Sequence, residues 1–89
     1  MSTTTHDLKC WPEYFEPVAE GVKTVELRKN DRDYQVGDYL LLREFKPNKP
    51  GEGPGSYTGR TITVLVTHIA RGFPWLAPGY VALSIRREG

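Results

Sequence analysis

GVKTVELRKNDRDYQVGDYLLLREF, residues 21–45, decides the fold, because its apolar spacing switches from helical to strand-like and then breaks at a turn. Gly21 reads as the stop of a preceding helix, since glycine enters the left-handed conformation without steric cost. From Val22 the period becomes two. Val25 and Leu27 share one strand face, and Thr24, Glu26, Arg28 and Asn30 share the other. The NDRD run at residues 30–33 is turn chemistry, because Asn and Asp bond their own backbone and tolerate left-handed geometry. VGD then launches a strand that begins near Asp38 and continues through YLLLREF.

Upstream, HDLKCW (residues 6–11) alternates weakly and reads as a short strand with Leu8 and Cys10 toward the core; residues 1–5 are expected to be disordered. PEYFEPVAEG (12–21) reads as a short helix. Pro12 suits a first turn, and Glu13 and Glu16 sit near the positive end of the dipole. Trp11, Phe15, Val18 and Val22 recur at helical spacing, while Pro17 argues against a long helix. Downstream, KPNKPGEGPGS (46–56) has three prolines and three glycines and reads as a flexible loop. RTITVLVTHIA (60–70) is the strongest strand, RGFPWLAPG (71–79) a rigid connection, and YVALSIR (80–86) the closing strand. A single domain over 1–89 follows: mainly β with one or two short helices (α+β), about five strands in a small barrel or strongly curved sheet.

At 89 residues and 38% apolar content the chain can build one core. Cys10 is the sole cysteine, which excludes an internal disulfide and suggests a reducing, cytoplasmic setting. There is no apolar run of about 18 residues and no signal-like start, so no membrane association is expected. Net charge is +1, split between an acidic first half and a basic second half, too mild to argue for nucleic acid by itself.

His6, His68 and Cys10 lack ligand spacing, so neither metal nor cofactor is expected. His68 shares strand parity with Ile62, Val64 and Val66 and reads as a core or barrel-end histidine. Ser56 and Ser84 lie in no nucleophile-like context, and PGEGPG lacks the strand, helix and Lys–Ser pair of a phosphate loop. Lys23, Glu26 and Arg28 stand apart, because the i, i+2 strand spacing brings Glu26 and Arg28 within about 7 Å. They read either as a solvated ion-pair network or as a cleft for an anion. Trp11, Tyr14, Tyr34, Tyr57 and Trp75 lie near element ends, where aromatic faces stack bases or cap a barrel.

Gly21, Lys23, Glu26 and Arg28 spell G-x-K-x-x-E-x-R directly after the first helix, followed by NDR, VGD and YTG in order. The chain thereby resembles the ASCH domain of the PUA-like superfamily, in a short bacterial and phage branch, over about residues 6–86. The resemblance implies a β-barrel with a cleft beside the first helix that faces single-stranded RNA or a nucleotide. On that reading Lys23, Arg28 and Arg32 contact phosphate, Glu26 and Asn30 read polar edges, and Trp11, Tyr57 or Trp75 stack. The alternative it implies is a small hydrolase, an acetylcytidine amidohydrolase or a ribonuclease, with Lys23, Thr24 and Glu26 as the catalytic set. Here the branch's nucleophilic threonine position holds Glu26, and its distal glutamate has no counterpart in RGFPWLAPG. A monomer that binds rather than catalyses is the expectation, with docking on a protein partner as a third reading.

Overall fold

The structure, a computed structural model, describes residues 3–88. Its elements are β1 (Thr5–Cys10), α1 (Pro12–Ala19), β2 (Val25–Lys29), β3 (Tyr39–Lys46), β4 (Ser56–Ala70) and β5 (Tyr80–Arg87). The strands form one sheet in the order β1-β3-β4-β5-β2, which curls into a half-barrel with α1 packed beside it. β1 and β3 are parallel, and the other pairs are antiparallel. Of the residues expected to be disordered, Met1 and Ser2 lie outside the described residues, and Thr5 opens β1.

Strand alternation fills the core. Leu8, Leu40, Leu42, Val64, Val66, Val81 and Leu83 are buried on the concave face, and Phe15 and Val18 of α1 cover them with Tyr34. Each such side chain contributes about 1.5–3 kcal/mol on leaving water. Tyr34 is therefore a core residue despite its place in the turn segment. Beside it His6 Nε2–H donates to Asp38 Oδ2 at 2.8 Å, and the Gln35 backbone amide donates to the same oxygen at 3.0 Å. This polar plug ties β1 to the turn that launches β3.

Two irregularities on β4 redirect side chains. Between Val66 and His68 the strand carries one extra residue against β5, so parity flips and His68 is exposed. Ile69 packs against the core instead. This corrects the expectation of a core histidine, since a bulge cancels the period-two count. Between Thr61 and Tyr57 the register shifts again, aiming Thr58 at the buried Glu44 with an Oγ1–Oε1 distance of 2.7 Å.

β1 and β2 are the two edges, and no backbone ladder joins them. Side chains cross the gap instead: Arg28 Nη2 donates to Lys9 O at 2.7 Å and Arg32 Nη1 to Asp7 O at 3.1 Å. Two guanidinium groups thus cover edge carbonyls that would otherwise invite strand pairing.

The β3–β4 connection holds one position tightly. Gly55 has φ +99°, and a Cβ there would meet Lys46 O and lie 2.8 Å from the Pro47 Cα, both backbone atoms. Gly55→Ala is expected to cost about 2–4 kcal/mol. Urea unfolding should show a lower midpoint at unchanged m-value.

Candidate functional site

The end of α1 sets where Lys23 stands. Gly21 takes φ +78°, and the amides of Val22 and Lys23 both donate to Pro17 O at 3.0 Å. The chain then enters β2 in a register that pairs Glu26 with Leu83 and Arg28 with Val81. Leu83 and Val81 point into the core, so Glu26 and Arg28 point to the same concave side. Val25 and Leu27 face outward, 41% and 61% exposed. The charged half of this strand is its inner half.

Glu26 is only 4% exposed. Lys23 Nζ donates to Oε1 at 2.5 Å and also to Val25 O at 2.5 Å; Arg28 Nε donates to Oε2 at 2.9 Å. A carboxylate buried this deeply would be costly alone, and a cation on each oxygen offsets that cost. The three heads therefore converge across the seam between β1 and β2. They line a cleft of about 600 Å³. Trp11 and Tyr14 form its aromatic rim and buried Cys10 its inner wall, with Lys9, Val25 and Leu27 completing the lining; the Lys9 Nζ itself lies over the Phe45 ring, 4.5 Å from the centroid.

Cys10 is buried in that wall, and its thiol is pushed up to about 11. Desolvation is the largest cause and the Glu26 charge adds to it, with Arg28 and Lys23 pulling the other way. At neutral pH the group is a protonated thiol and a poor nucleophile. Among the described residues no cluster of His, Cys, Asp or Glu is arranged to hold a metal ion.

Of the residues singled out in the sequence, Trp11, Tyr14, Lys23, Glu26 and Arg28 meet in the cleft. The others stand elsewhere, each for a physical reason. Thr24 precedes β2, is exposed, and lines a second hollow instead. Asn30 follows β2 and is exposed, its backbone N–H donating to Gly79 O at 2.8 Å, and Arg32 is engaged on the β1 edge. Tyr57 lies on the β3–β4 hairpin, 5.2 Å from the Phe45 ring centroid, with the Arg43 guanidinium 3.9 Å over its ring. Trp75 is 85% exposed in the 71–79 connection beside Phe73. Lys9 and Cys10 were not foreseen as cleft residues, whereas Tyr14 was among the element-end aromatics and lies three positions after Trp11 along the helix. Lys9 and Cys10 reach the site only across the seam.

Glu26→Gln leaves two cations facing one another with one fewer negative charge, and is expected to cost about 1–3 kcal/mol in chemical denaturation. Cys10 makes a separate prediction. Its folded-state pKa lies above the unfolded value, so its contribution is fully present below about pH 9 and is lost as pH rises through about 11. Wild type should lose about 2 kcal/mol more than Cys10→Ala between pH 8.5 and 11, measured by urea unfolding.

Two similarities to known proteins accompany this geometry. The chain is 36% identical over 76 residues to the "Uncharacterized 12.9 kDa protein in GpA 3'region" of Escherichia phage P2, a match covering 85% of this chain. It spans 63% of that relative's length. A family model described as "Domain of unknown function (DUF3850)" matches residues 5–85. With nearly its whole length matched, and with the curled sheet and seam cleft contained in that span, the chain belongs to the DUF3850 family.

Proposed function

We propose that the seam cleft binds single-stranded RNA or a nucleotide, as a cytoplasmic ASCH/PUA-like module. The observation that carries this reading is the Glu26 carboxylate clamped by Lys23 and Arg28 beneath an aromatic rim. Two cationic heads meet one acid in the cleft, a net positive charge that favours an anion. Glu26 fixes the two cationic heads in place before a ligand arrives, so little side-chain entropy is lost on binding. Arg28 carries five N–H groups and Lys23 three. One of Arg28's N–H groups goes to Glu26 and one to Lys9 O, and two of Lys23's go to Glu26 and Val25 O. The remainder are free for phosphate or base acceptors.

Trp11 and Tyr14, 50% and 55% exposed, offer stacking faces that suit unpaired bases. The G-x-K-x-x-E-x-R resemblance supports the same ligand class. Binding is favoured over an amidohydrolase acting through a covalent intermediate, because that chemistry needs a nucleophile beside a base. Thr24 lines the other hollow, and the Cys10 thiol is protonated. A free buried cysteine fits a reducing cytoplasm, and among the described residues no helix is long and apolar enough to cross a membrane.

Fluorescence anisotropy with a labelled single-stranded RNA octamer tests the reading. Wild type should bind at 50 mM salt and lose affinity steeply by 200 mM. Lys23→Glu should lose at least about tenfold, and Trp11→Ala about 1–3 kcal/mol. No binding to RNA or nucleotides at low salt, or equal binding by both variants, would refute it.

A further inference from the structure

We propose that the smaller hollow on the far side of Lys23 is a phosphate subsite of the same interface, taking the phosphate that adjoins a nucleoside held in the main cleft. This rests on the binding reading above. The hollow has a volume of about 250 Å³. That is room for a phosphate group with hydration, each water taking about 30 Å³. Val18, Val64 and Ile85 supply its apolar floor.

Lys23 lines both hollows, so a ligand occupying the two would pass across it. Around the smaller one stand Lys23, Arg86 and Arg87, and no acidic residue is part of its lining. Arg87 donates to Ala19 O at the end of α1, which anchors its guanidinium at the hollow and leaves four N–H groups for a ligand. Among the described residues Arg86 pairs with Glu88 at 3.6 Å, a contact whose partners are 66% and 36% exposed and so screened by solvent. Thr24 adds an exposed hydroxyl. The Arg87 guanidinium and the Thr24 hydroxyl, with Arg86 at the adjoining strand position and Lys23 between the two hollows, give donor chemistry that suits a phosphate group. Thr24, displaced from the main cleft, has a role here as a donor rather than a nucleophile.

The experiment titrates a ribonucleoside, its 5′- and 3′-monophosphates and a single-stranded RNA tetramer onto wild type, Arg86→Gln and Arg86→Gln/Arg87→Gln. Thermal melts confirm folding, and the exposed Arg86→Gln single variant stands in if loss of the Arg87–Ala19 bond unfolds the double. The double variant is expected to bind the bare nucleoside as wild type does. It should lose about tenfold for one monophosphate and for the tetramer, with a salt slope shallower by about 0.7 for each arginine removed. Arg86→Gln alone should show part of that loss. If wild type binds the tetramer and the variants bind it with the same affinity and slope, the subsite assignment is overturned while the cleft reading stands. If wild type binds neither nucleoside nor tetramer, both fall. Inorganic phosphate shifting the Thr24 and Arg86 amide resonances without any nucleotide binding would reveal a free-anion site and likewise overturn the assignment.

Discussion

The Glu26 carboxylate, enclosed between an ammonium and a guanidinium where two strand edges fail to meet, holds this small domain's seam together. Take it away and Lys23 and Arg28 would repel across the opening. Arg28 would then lose the anchor that aims it at the Lys9 carbonyl. The same three side chains thus brace the half-barrel and build the charged concavity between β1 and β2. Structure and site share one set of contacts, so changes here should move stability and binding together.

The five strands here surround a core without pairing every edge by backbone. β1 reaches β3 in parallel, with α1 and β2 in the connection, which leaves β1 and β2 as facing edges. Natural proteins blunt such edges with charge. Here the blunting agents are Arg28 and Arg32, whose guanidinium groups take up the carbonyls of Lys9 and Asp7. On the opposite side of the helix a second network links Glu16, Arg60, Glu44 and Thr58, and fastens the long strand β4 to α1. Arg60 is held by Glu16, which in turn sits below its ordinary carboxylate range through the hydrogen bond and charge of Arg60. That pair lies in solvent and contributes geometry more than energy.

The strands were legible because alternation is a local property. Leu8 and Cys10, Ile62 to Val66, and Val81 to Ile85 all face the core as period two requires. The helix stop was legible at Gly21 for the same reason. Parity failed at His68, where a bulge adds a residue that no local pattern announces. On β2 the alternation itself was correct, but which half faces inward was set by register with Leu83 and Val81, a pairing between segments more than 50 residues apart. Convergence of Lys23, Glu26 and Arg28 could be posed from i, i+2 spacing. Lys9 and Cys10 could not be placed there, because they approach through tertiary curvature. Tyr57 and Trp75 show the limit of choosing aromatics by composition: one is engaged with Phe45 and Arg43, and the other stands on a distant connection.

The central claim is that ligand enters the seam beneath Trp11. In a Trp75→Phe background Trp11 is the only tryptophan, so its emission reports on the cleft directly. Titration with single-stranded RNA at low salt should quench or shift that emission in step with binding, and added salt should restore it. RNA that binds by anisotropy while leaving Trp11 emission untouched would place the interface elsewhere and contradict the account.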